Sequence, residues 1–82
     1  MIGKVRAINH KKGLIAVETS SGDLSLIELL GGYEVEIDDV ISGSLESLGC
    51  EEVINKTQDE EMSVVIQDCH CSPEYVRQEM LS

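Results

Sequence analysis

The chain has 82 residues, 41% of them apolar, which is enough for one small domain with a thin core. Sixteen Asp and Glu against six Lys and Arg give a formal charge of −10. That balance argues against an unaided grip on nucleic acid or an anionic membrane, since both depend on cationic side chains displacing counterions.

Val and Ile recur in short runs separated by Gly, Asn, Asp and Ser, the pattern of a small all-β domain. The first run, Ile2 to Asn9, is closed by Asn9-His10-Lys11-Lys12-Gly13, where Gly13 can supply a positive φ. Leu14 to Thr19 follows, alternating Ile15, Val17 and Thr19 with Leu14, Ala16 and Glu18. Ser20 to Asp23 turns the chain into Leu24 to Leu30, which Gly31-Gly32 breaks. Glu34 to Asp38 reads as a brief edge strand or an extended link. Val40 to Ser47 is expected to be a fourth strand with Gly43 as a bulge, ended by Gly49. Glu51 to Asn55 and Met62 to Cys71 flank a hairpin turn at residues 56–59.

The tail changes character. Ser72-Pro73 pairs an N-cap residue with proline at the first helical position, and Tyr75, Val76, Glu79 and Met80 follow at helical spacing. Such a short helix is marginal alone in water. Residues 1–71 are therefore expected to form a barrel and residues 72–82 a short helix or tail. No apolar run has the length of a membrane-spanning helix, and no basic segment leads into one like an export signal. Three cysteines, an odd number, fit a reducing cytoplasm rather than a disulfide framework.

Gly3, Val5, Asn9, Lys12-Gly13, Val17, Gly22 and Asp23 carry a further signal through their joint spacing. Residues 1–30 resemble the cold-shock domain family, five-stranded OB-fold barrels that bind single-stranded RNA and DNA. The resemblance implies an all-β, five- to six-stranded OB-like barrel followed by the short helix. The family's stacking rings have no counterpart in this chain. Ala7 and Ile8 stand at one pair of those positions, Leu14, Ile15 and Ala16 at the next set, and Ser25, Ile27 and Glu28 at the last. Base–aromatic stacking contributes roughly 1–3 kcal/mol per base on such platforms. Losing it favours a non-enzymatic binding module whose partner is a protein, met at an aliphatic patch of Ile8, Leu14, Ala16 and Ile27. That patch is either exposed or covered by the C-terminal helix, and a one-residue slip in register would turn it inward. A monomer or weak homodimer is expected. The alternative is weak single-stranded nucleic-acid binding through Lys4, Arg6, Lys11 and Lys12, the only charged residues among the first twelve.

Cys69-His70-Cys71, with Cys50 upstream and His10 in the first turn, is the one cluster of soft metal ligands. On a regular strand both sulfurs of Cys69 and Cys71 would share a face and His70 would take the other. A second ligand knuckle is missing, so no metal and no other cofactor is expected. The carboxylate runs, such as Asp38-Asp39, Glu51-Glu52 and Asp59-Glu60-Glu61, read as solvated shoulders. No catalytic constellation emerges, and the expectation is a protein that is not an enzyme.

Overall fold

The branched runs become strands because Val and Ile side chains stack on a pleated surface. The computed structural model describes residues 1–81, with β1 (Ile2–Asn9), β2 (Leu14–Thr19), β3 (Leu24–Leu29), β4 (Val40–Ser42), β5 (Gly49–Asn55), β6 (Glu60–Cys71) and α1 (Pro73–Leu81). The strands close into a barrel in the order β1-β2-β3-β6-β5-β4, every neighbouring pair antiparallel. This is the small OB-like barrel with a C-terminal helix that the sequence leads one to expect. No described helix is long and apolar enough to cross a membrane.

Alternation fills the interior with Val5, Ile15, Val17, Ile27, Ile41, Val53, Met62, Val64 and Ile66, joined by Leu45 from the β4–β5 loop. A second, smaller cluster lies outside the barrel wall. There Leu14, Ala16 and Leu26 meet Val76 and Met80 of α1. Strand β2 is consequently buried on both faces.

The helix is held at both ends. At its start the Tyr75 N–H donates to Ser72 Oγ at 3.2 Å, the N-cap contact expected of Ser-Pro. At its far end the carbonyl oxygens of Glu79 and Met80 accept hydrogen bonds from Lys12 Nζ and Asn9 Nδ2. These two oxygens would otherwise lack an intrahelical donor, so the first hairpin caps the helix that covers it.

Two boundaries around the fourth strand differ from expectation. The fourth strand stops at Ser42 rather than Ser47 because the chain dives at Gly43, where a Cβ would stand 2.8 Å from Val53 Cγ1. Gly49 opens β5 instead of ending a strand. Of the two forms expected for residues 34–38, the structure has the extended link, which ends in a turn at Ile37 and Asp38. It is pinned by Asp38 N–H to Val5 O at 2.8 Å and Val5 N–H to Asp39 O at 3.0 Å.

Candidate functional site

A bulge in β1 sets the faces of the first hairpin. Val5 pairs with Val17 and Ala7 with Ala16, leaving Arg6 as the extra residue. The side-chain parity therefore flips after Val5, so that Ile8 packs on the interior core while Ala7 packs against the outer cluster. This divides the aliphatic patch. Ile27 is fully buried inside the barrel, Ala16 lies under the helix, and Leu14 is almost covered by it. The four side chains thus form no exposed surface: the bulge turns Ile8 inward, the pairing of Ile27 with Ile15 places Ile27 on the interior face, and α1 covers Leu14 and Ala16.

Ile8 and Leu14 do meet at one opening of the barrel. They line a pocket of about 240 Å³ with Asn9, Gly13, Leu29, Gly31, Tyr33 and Val35. Gly13 adopts the left-handed φ of 65° that closes the β1–β2 turn beside this pocket. The opposite wall is the 31–39 link, which two anchors hold in place. The Tyr33 hydroxyl accepts the Ser63 N–H at 3.0 Å. Asp39, 3% exposed, takes three donors on Oδ2: the Glu36 N–H at 3.0 Å, Asn55 Nδ2 at 2.9 Å and Gln58 Nε2 at 3.2 Å. Burial raises the Asp39 pKa, but its hydrogen bonds to Asn55, Glu36 and Gln58 prevail and hold it below the ordinary carboxylate value. Beside the pocket a more open hollow shares His10, Tyr33 and Val35 with it and adds Glu34 and Glu36, so its lip is acidic.

The cations of the first hairpin have structural duties. Arg6 Nε meets Glu18 Oε1 at 2.9 Å and its Nη1 meets Asp38 Oδ1 at 2.7 Å. Lys12 caps the helix through the Glu79 carbonyl. Lys4 and Lys11 are exposed, and Lys4 sits opposite Glu18 in the sheet.

The cysteines are dispersed. Cys50 is exposed on β5 opposite Val65, Cys69 Sγ approaches the Glu46 carbonyl oxygen at 3.7 Å, and Cys71 packs at the edge of the helix cluster. Burial raises the Cys71 pKa, reinforced by the charge of Asp68, so its thiol stays protonated. Strand alternation does not set the faces of Cys69 and Cys71 as a regular strand would. Against Leu24, Leu26 and Ile27 of β3, β6 offers Cys71, Asp68 and Ile66, two residues more than its partner over this stretch. His70 takes a left-handed φ of 55° in that irregularity. Its Nδ1 lies 2.7 Å from Asp23 Oδ2 and 3.7 Å from Glu46 Oε2. The hydrogen bond to Asp23, then the charge of Glu46, raise the His70 pKa above its ordinary value.

Sequence reasoning missed Asp39, Tyr33 and the Asp23–Glu46–His70 grouping. A tyrosine directly after Gly-Gly in a chain with two rings was a usable signal. The buried role of Asp39 and the meeting of two loops and a strand end had none. No family model, curated protein or solved structure matches the chain. The cold-shock resemblance accordingly rests on the residues of the first third alone.

Proposed function

We propose that the chain is a non-enzymatic binding module that takes a protein partner at the acidic-lipped pocket between the β1–β2 turn and the 31–39 link. In this reading the barrel is an OB-fold that keeps the cold-shock frame, works in the cytoplasm and has given up the nucleic-acid platform. The observation that carries it is the pocket itself. Ile8, Leu14, Leu29 and Val35 offer room for one apolar side chain, and Glu34 and Glu36 border the entrance. An aliphatic residue flanked by Lys or Arg suits that combination of shape and charge.

Further support comes from how polar groups are spent. Arg6 is neutralised by two carboxylates and Lys12 holds the helix, which weakens the case for a phosphate-binding stripe. Ser25 Oγ donates to the Leu45 carbonyl in the core at 2.8 Å, a structural bond rather than a nucleophile's setting.

The test is an NMR titration of labelled protein with a leucine-centred, lysine-flanked peptide and, separately, with oligo-dT at physiological salt. The peptide is expected to shift amides of residues 8–13 and 31–36, and oligo-dT to shift none. Shifts by oligo-dT centred on Lys4, Arg6, Lys11 and Lys12 would sink the reading in favour of nucleic acid. A peptide that moves no amide around the pocket would sink it as well.

A further inference from the structure

Two loops and a strand end far apart in sequence converge at the barrel wall away from the pocket. Asp23 comes from the β2–β3 turn, Glu46 from the β4–β5 loop and His70 from the irregular end of β6. One ligand atom from each, His70 Nδ1, an Asp23 oxygen and a Glu46 oxygen, lie within 4.8 Å of one another. We propose that Asp23, Glu46 and His70 form a binding site for a first-row transition-metal dication of the zinc class, with water completing the coordination.

The geometry suits such an ion. At about 2.1 Å from each ligand, the His70 to Asp23 and His70 to Glu46 separations of 2.7 and 3.7 Å subtend roughly 80° and 120°. Both angles lie within reach of tetrahedral or octahedral coordination. The remaining gap closes by a small rotation of Asp23 and His70, whose side chains are 45% and 58% exposed. Donor chemistry sets the class of ion. One imidazole nitrogen favours zinc and its neighbours over magnesium and calcium, which prefer oxygen throughout. Two carboxylates and a neutral imidazole also balance a dication's charge.

Outside the three ligands stands a supporting layer. Ser21 Oγ lies 3.1 Å and Thr19 Oγ1 3.3 Å from Glu46 Oε2, and the two hydroxyls are 2.8 Å apart. Glu46 is the least exposed ligand, at 20%. Hydroxyls that fix a ligating carboxylate act in this way around established metal sites. The bond between His70 Nδ1 and Asp23 holds the place the metal would take. On binding, Nδ1 gives up its proton: from the imidazolium it passes to solvent while Nε2 keeps its own, and from the neutral Nδ1–H tautomer it is transferred through water to Nε2.

The test is calorimetric titration of zinc into chelator-treated, reduced wild-type protein, alongside His70→Gln, Asp23→Asn and a variant with all three cysteines changed to serine. One equivalent of zinc should bind to wild type and to the serine variant alike. His70→Gln and Asp23→Asn should each weaken binding at least about tenfold. Circular dichroism of each variant shows that it is folded, and wild type and the serine variant should gain melting temperature with zinc while His70→Gln and Asp23→Asn should not. Binding that survives His70→Gln but vanishes in the serine variant would assign the metal to the thiols and overturn the proposal. Absence of binding to wild type would overturn it too.

Discussion

Two carboxylate clusters stitch loops together on this barrel, and they are built on opposite principles. Around Asp39 the acceptors and donors close on one another. Asn55 is fully buried, its amide nitrogen donates to Asp39, and its Oδ1 accepts the N–H groups of Thr57 and Gln58. Burial fixes Asn55 and the backbone fixes the Glu36 N–H, with only the Gln58 amide reaching in from an exposed position, so the Asp39 carboxylate is already filled by donors. Around His70 the same kinds of groups face water, and the histidine is exposed. Its partners can be exchanged for a proton or an ion. The difference teaches that burial, not composition, separates a clamp from a site.

The sharpest way to break this comparison is Asp39→Ala. It strands the buried Asn55 amide and frees the 31–39 link. Hydrogen bonds to a charged group contribute about 1.5–3 kcal/mol each and do not add fully, so a loss of about 3 kcal/mol is expected. For a domain of this size that lowers the melting temperature by more than about 10 °C. A drop no larger than that of a surface control would show that the clamp is ornamental.

A smaller effect comes from acid. Because the native pKa of Asp39 is depressed, its contribution is present above the ordinary carboxylate value and is lost as pH falls through the lower native one. The gap in melting temperature between wild type and Asp39→Asn should thus be constant near neutral pH and narrow in strong acid. A gap that widens on acidification would contradict the sign.

Smallest is the response of the open cluster. Its native His70 pKa is raised, so the stabilisation is full below the ordinary value of about 6.5 and disappears as pH rises through the native value. Melting curves of wild type and His70→Gln should differ at the acidic end and coincide at alkaline pH. In metal-free protein, Asp23→Asn should leave the melting temperature nearly unchanged, as for exposed pairs generally, and Glu46→Gln, which keeps an oxygen for the Thr19 and Ser21 hydroxyls, should lower it only slightly more.

Much of the fold was legible because local rules operate where neighbours in sequence set the outcome. Strands β1 and β2 run between the residues that the Val and Ile pattern marks, and Ser72-Pro73 starts the helix where capping chemistry places it. What failed were inferences that depend on a distant surface. The fourth strand was overextended because only the approach of Val53 to Gly43 reveals the dive into the core. Whether the patch is exposed or covered was undecidable along the chain, because an extra residue in β1 turns Ile8 inward while α1 covers Leu14 and Ala16, the covered alternative.

Sequence by itself determined the all-β class, the strand spacing, the turn at Gly13 and the start of the helix. Each follows from periodicity and backbone preference over a few residues. Tertiary structure alone decided that Asn9 and Lys12 cap the helix of residues 73–81, that Asp39 is buried and satisfied, and that Asp23, Glu46 and His70 meet. Apart from the local bond between Glu36 and Asp39, those contacts join residues from 16 to 71 positions apart. Closing the barrel fixes where each strand end emerges, and pattern along the chain carries no record of which loops then share a rim.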